Sequence, residues 1–232
     1  MNEQMIIKAA SLSSQNITDD ELKKINKFTL TPLRGDDVFT FKAVLCDNEV
    51  DRDFERFTLK SLQQLSKLFI GKTVIKDHTP SADNQVARIY ATELVKGTKT
   101  LDNGEPYTQL VAHLYMVKTS SNADLITEIN GGIKKEGSVS FAVNRRVCSI
   151  CAKNAVGCPH YAGTKYETTA GTETCVYIID NVKDAYEFSL VAVPAQKSAG
   201  ISKSYKSKNL YDLIERAKMI DTQIRKKADK NA

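Results

Sequence analysis

The sequence predicts an α+β fold: an antiparallel, barrel-like β core with a few flanking helices, a small cysteine-rich insertion and a C-terminal helix. Three observations predict it. Short runs rich in β-branched and aromatic residues, such as VFTFKAVL (38–45) and YEFSLVAV (186–193), recur between charged or glycine-containing turns. Helical spacing appears in only a few intervening segments. One strand-like run leads directly into RRVCSICAKNAVGCPHYAG, where three cysteines and a histidine fall between Cys148 and His160. Strands with helices interspersed, and no regular βαβ alternation, suit an α+β body.

The elements follow in order. Thr18-x-x-Glu21 is a capping box and predicts a helix over 18–27. Residues 38–45 read as a strand, followed by the charged turn CDNEVDRDFERF. From about Thr58, Leu59, Leu62, Leu65, Leu68 and Phe69 recur at helical spacing. A short buried strand over 72–76 leads into Asp77-His78-Thr79-Pro80. Residues 86–95 and 107–118 form a hairpin around Asn103-Gly104. Alternation puts Val111, His113, Tyr115 and Val117 on one face of its second strand, and Leu110, Ala112, Leu114 and Met116 on the other. A helix over 121–130 starts at a Ser-Ser-Asn cap and stops at Gly131-Gly132. A strand from Gly137 to Val147 precedes the cysteines; CVYIID from Cys175 and residues 186–193 are two further strands, the last closed by Pro194.

Composition sets bounds. A chain of 232 residues, 41% hydrophobic and 26% charged, suits one domain with a small appendage. The longest apolar runs are strand-sized, and MNEQMIIKAASLSSQ lacks the pattern of a signal peptide, so an intracellular protein is expected. Five cysteines, an odd number, argue against a disulfide framework. Residues 201–232 carry nine Lys or Arg against Asp212, Glu215, Asp221 and Asp229, a net +5 equal to that of the whole chain. The body is therefore neutral and the tail basic. Leu210, Leu213, Ile214, Ala217, Ile220 and Ile224 form one apolar stripe there, fit to pack on a partner or on another copy.

Cys148-x2-Cys151 and Cys158-x-His160 supply four donors at zinc-knuckle spacing, with Cys175 as a spare. The polar segment between them is too short to pack alone, and a metal there would supply on the order of 10 kcal/mol of folding free energy. Four protein ligands close the coordination sphere. HExxH and the deaminase His-x-Glu are both absent, so a structural rather than catalytic zinc is expected. Three histidines are present. His160 is a ligand candidate, and His113 reads as a packed strand histidine. His78 sits at a strand end, where catalytic groups are often displayed. Physical reasoning alone finds no nucleophile: GxSxG is absent, and Cys46 at a strand end reads as core.

Four stretches resemble the prohead (capsid-maturation) serine proteases of tailed bacteriophages, related in fold to the herpesvirus assemblins. FKAVLCDNEVDRDFERFTLKSL resembles the first strand, turn and helix of that family. GKTVIKDHTPSADNQVARIY resembles the segment with the catalytic histidine, which falls on His78. KEGSVSFAV resembles the nucleophile strand and places the serine at Ser138. DAYEFSLVAVPAQKSAG resembles the acidic residue followed by SLV-x-x-PA and places the third member at Glu187. The likeness spans about residues 35–203.

Two departures leave alternatives open. Ser140 stands where glycine is common and is a rival nucleophile; Asp184 is a rival acid. Alternation puts Ser138 and Ser140 on the same face, so the strand does not separate them.

The resemblance implies an N-terminal extension (1–34), a serine protease domain (35–200) with a zinc-knuckle-like insertion (148–175), and a basic linker and helix (201–232). It implies an endopeptidase inside the assembling prohead in the host cytoplasm. Its substrates would be scaffold protein, the N-terminal region of the major capsid protein and itself, with a structural zinc and no catalytic cofactor. Neither membrane nor nucleic acid is expected as a partner. A non-catalytic zinc-knuckle module binding nucleic acid, or a capsid-scaffolding morphogenesis protein, is the alternative.

Overall fold

A computed structural model describes residues 17–202. The basic C-terminal helix expected beyond them lies outside the described residues, as does the start of the chain. Ten strands and three α-helices follow one another: α1 (Asp19–Ile25), β1 (Val38–Asp47), β2 (Glu55–Phe57), α2 (Leu59–Leu68), β3 (Thr73–Lys76), β4 (Ala87–Thr100), β5 (Pro106–Val117), α3 (Ala123–Asn130), β6 (Gly137–Cys148), β7 (Lys165–Thr168), β8 (Gly171–Thr174), β9 (Tyr177–Leu190) and β10 (Gly200–Ser202).

Local chemistry explains the helix starts. The Thr18 hydroxyl accepts from the Glu21 N–H and the Glu21 carboxylate accepts from the Thr18 N–H, the reciprocal pair the sequence predicts. Thr58 caps α2 by accepting from the Ser61 N–H. The Ser61 hydroxyl donates to the Ile179 carbonyl at 2.8 Å and fastens that end of the helix to β9. Leu62 and Leu65 of α2 are fully buried, as is Phe69 just beyond it. α1 sets Ile25 beside Val38, Tyr90 and Tyr115 in a second, smaller core.

One large mixed sheet runs β10-β1-β5-β4-β3-β9-β2, with β6 paired to the other edge of β9. β7 and β8 form a separate hairpin. The mixed α/β character is as expected, but the closed, barrel-like and wholly antiparallel core is not. The sheet does not close, and β2 and β3 both run parallel to β9. Parallel pairing needs a crossover, and the α2 segment supplies one between β2 and β3.

β9 differs from the expectation of two strands. It is a single 14-residue strand. Asn181 takes a left-handed conformation (φ 67°), and the register against β6 shifts between Ser140 and Phe141 and again between Ala142 and Val143. The register passes over Tyr186 and then Lys183 of β9, and the ladder resumes beyond them.

The main core lies under the faces of β1, β5, β6 and β9, with α2 and α3 against it. Leu110, Ala112, Leu114 and Met116 all point into it, sharing one face of β5 as alternation predicts. No helix among the described residues is long and apolar enough to cross a membrane.

Candidate active site and metal centre

β9 is the spine of the site. Its parallel neighbour β3 sets Thr73 opposite Glu187 and Ile75 opposite Ser189. Its antiparallel neighbour β6 sets Ser140 opposite Glu187 and Ser138 opposite Ser189. Three strands distant in sequence thus bring an acid, two hydroxyl positions and the end of β3 to one place. Gly137 is required beside them: a Cβ there would lie 2.0 Å from the ring of Phe188.

β3 ends in two successive left-handed residues, Asp77 (φ 55°) and His78 (φ 50°). Asp and His tolerate this region better than most side chains. The turn is held by the Asp77 N–H donating to the Leu190 carbonyl and the Thr79 N–H donating to the Lys76 carbonyl. Asn84 closes the loop, its side-chain amide donating to the carbonyls of Lys76 and Thr79.

The imidazole of His78 then lies over β9. Its Nδ1 is 2.7 Å from Glu187 Oε1 and 3.1 Å from Ser140 Oγ. Glu187 is buried, whereas the His78 side chain is 39% exposed. The other carboxylate oxygen of Glu187 accepts from the Ser189 hydroxyl at 2.8 Å.

An ionised carboxylate only accepts, so the 2.7 Å contact requires the proton on Nδ1 and leaves Nε2 with the free lone pair. A hydroxyl that is to lose its proton to this base must face Nε2. Ser140 instead meets the nitrogen already engaged by Glu187. A turn of the half-exposed ring is needed to present Nε2 to a serine. Catalytic hydrogen bonds are often poorly aligned before substrate binds.

The predicted residues divide as follows. His78 and Glu187 are in direct contact. Among the described residues, the serine hydrogen-bonded to the His78 ring is Ser140, and Ser138 lies two residues away on the same strand, opposite Ser189. Asp184 is drawn elsewhere: its carboxylate meets Lys72 Nζ at 3.3 Å and the Ala185 N–H at 2.8 Å. His113 is a packed histidine, 2.9 Å from Glu93 and edge-on to Tyr90. Cys46 is fully buried in the core, its thiol pushed up by burial and by Asp47. Sequence reasoning missed Ser189. The signal was available, because residues i and i+2 of a strand share a face, which puts Ser189 beside Glu187.

The metal-ligating candidates gather at the opposite end of β6. The ligand atoms of Cys148, Cys151, Cys158 and His160 all lie within 4.8 Å of one another, compatible with a structural metal site. Cys151 and Cys158 sulfurs are 3.4 Å apart, and Cys158 Sγ is 3.4 Å from His160 Nδ1. Cys175 is close by, its sulfur 3.7 Å from that of Cys148.

The turn is a tight knuckle. Ala152 has a positive φ, and its N–H donates to the Cys148 carbonyl. Burial raises the Cys148 thiol, but the N–H groups of Cys151 and Ile150 outweigh it and hold it below its ordinary value. The Lys153 N–H does the same for Cys151. Burial, then the adjacent Cys148, pushes Cys175 up to about 12. Cys148 and Cys151 thus lie below the ordinary thiol value, and Cys158 and Cys175 above it.

No protein-family model, curated protein or solved structure matches the chain.

Proposed function

We propose that the chain is a serine endopeptidase of the prohead-maturation type, with an assemblin-like fold, His78 as general base and Glu187 as the acid that orients it. The observation that carries the reading is the His78 imidazole held by Glu187 at 2.7 Å with a β6 serine 3.1 Å from the same ring. A serine hydroxyl is a weak nucleophile until a positioned base takes its proton, and the base needs a third group to fix its tautomer. The hydroxyl belongs to the Ser138-Val139-Ser140 strand. Sequence resemblance favours Ser138; contact with the imidazole favours Ser140.

The position of β6 supports peptide as substrate. On its edge away from β9, the Gly137 N–H donates to the Ala199 carbonyl and Arg146–Cys148 bond to residues 153–155, while among the described residues the stretch from Ser138 to Arg145 between them has no strand on that edge, so it is open to an extended chain. The substrates proposed are scaffold protein, the N-terminal region of the major capsid protein and the chain itself, inside the assembling prohead.

The cysteine cluster is proposed to hold a structural zinc through Cys148, Cys151, Cys158 and His160. With zinc–sulfur bonds of about 2.3 Å, a tetrahedron puts its sulfurs about 3.8 Å apart, near the spacings seen here. Ser138 precedes Cys148 by ten residues along β6, a run of roughly 30 Å at strand rise. At that distance the metal organises the insertion and leaves the scissile bond to the serine.

Coexpression with scaffold and capsid proteins, read by gel, tests the proposal. Cleavage by the unmodified chain and its loss in Ser138→Ala or Ser140→Ala support it and identify the nucleophile. Cleavage that persists in both variants and in their combination ends it.

The shared Nδ1 contact favours one rival, a protease-fold morphogenesis protein without catalysis, which predicts no cleavage and no labelling by serine-directed probes. A nucleic-acid-binding knuckle fits less well. Arg145 is paired with Asp180 at 2.8 Å and Arg146 with Glu55 at 2.6 Å, so neither is free to meet phosphate.

A further inference from the structure

We propose that Ser189 is a positioning residue whose single hydroxyl ties the main chain at the base to the carboxylate of the acid. The inference rests on the Ser–His–Glu reading above. It begins with the turn after β3. Two left-handed residues in succession aim the His78 N–H back at the sheet, where no strand carbonyl accepts it. The Ser189 hydroxyl accepts it instead at 3.0 Å.

A hydroxyl has one proton and two acceptor lone pairs. The proton of Ser189 goes to Glu187 Oε2 at 2.8 Å. The other carboxylate oxygen faces His78 Nδ1 at 2.7 Å. The carboxylate is therefore fixed at both oxygens, and the backbone and the ring of His78 are anchored to the same three-residue stretch of β9. Ser189 has no exposed surface, so water cannot take over its two bonds when the hydroxyl is removed. It sits opposite Ile75 of β3 and Ser138 of β6, the centre of the three strands that assemble the site.

A merely structural serine would affect stability alone. A positioning serine affects the proton on the ring. The chain has three histidines, so the ring nitrogens of His78 can be followed by two-bond proton–nitrogen NMR and assigned by their loss in His78→Gln. In the full chain His78 should hold its proton on Nδ1. In Ser189→Ala it should become a mixture of tautomers, and Ser189→Thr should restore the first state. A Ser189→Ala protein with the unmodified tautomer overturns the proposal.

The kinetic counterpart is a kcat lowered about 10- to 100-fold in Ser189→Ala, as for a misplaced reacting group, with KM changed less than about twofold. An unchanged kcat also overturns it. Thermal unfolding checks that the variant folds; if it does not, Ser189→Cys, which keeps the volume but donates weakly, takes its place in both measurements. If the unmodified chain cleaves nothing, the peptidase reading fails, while the tautomer measurement still decides the role of Ser189.

Discussion

The two ends of the β6–β9 pair are built from one ladder but held by different physics. At the Ser140–Glu187 end, side chains from three strands meet over a packed core containing Phe188, Val74 and Leu190. Order there comes from burial, and the hydrogen bonds only orient what is already fixed. At the Cys148–Tyr177 end the chain leaves the sheet for a loop whose residues are largely half-exposed or exposed, apart from Cys148 and Cys175. That end has few buried apolar side chains, and four candidate ligand atoms lie within 4.8 Å of one another there. The contrast is between an end ordered by burial and a lobe whose cysteine cluster is compatible with a structural metal.

Removing the metal end should break this picture or bear it out most strongly. Cys148→Ser with Cys151→Ser, or a chelator, should cost the 149–175 lobe on the order of 10 kcal/mol of its folding free energy. Hydrogen exchange should become fast there, while β3, β9 and the Gly137–Ser140 stretch stay protected. Exchange that accelerates equally at both ends would show that they are one cooperative unit. Acidification should act in the same direction, because a thiolate that takes a proton is lost as a ligand. Metal should be released as pH falls, read by metal titration.

At the other end, Glu187→Gln should preserve the fold and lower kcat by about 10⁴-fold, since an amide can stabilise the wrong tautomer of His78. A variant with near-normal cleavage would remove Glu187 from its assigned role. Gly137→Ala should be smaller in activity but visible in stability. The added methyl meets the Phe188 ring, and overpacking of this kind costs about 1–3 kcal/mol, read by denaturant unfolding. The smallest effect is expected from Asp184→Asn. Its pair with Lys72 is partly exposed, so stability should change by less than about 1 kcal/mol. Cleavage should be unaffected, and a large loss would return Asp184 as the orienting acid.

Local order was legible in the sequence wherever a short-range rule governs it. The capping box at Thr18, the cap at Thr58, the turn at Asn103-Gly104 and the buried face of β5 all follow from residues a few positions apart. Long-range pairing was not. Nothing local in Glu55–Phe57 indicates that it lies parallel to Tyr177–Ile179, and nothing in CVYIID and YEFSLVAV indicates that bulges join them into one strand. Closure of the sheet depends on such pairings, which is why the barrel was expected and an open sheet is found. The β7–β8 hairpin was hidden because its strands are only four residues long and, apart from Tyr166, carry no apolar side chain.

The site was legible in part. Cysteine spacing alone locates the cluster of Cys148, Cys151, Cys158 and His160. His78 was singled out by its strand end and by resemblance, Glu187 by resemblance alone, because a base and an acid on separate strands leave no spacing to read. Ser138 and Ser140 share a face, so only side-chain contact distinguishes them.

The two bulges between Ser140 and Val143 have one further effect. In an uninterrupted ladder, a slip of one residue would turn every side chain beyond it to the opposite face. Here the ladder already changes step twice between its functional ends. A one-residue gain or loss around Asn144–Val147 is expected to be taken up at this joint, re-seating the cysteine lobe while the hydroxyls of β6 keep facing the imidazole. The bulged stretch works as an expansion joint, letting each end be altered in length without retuning the other.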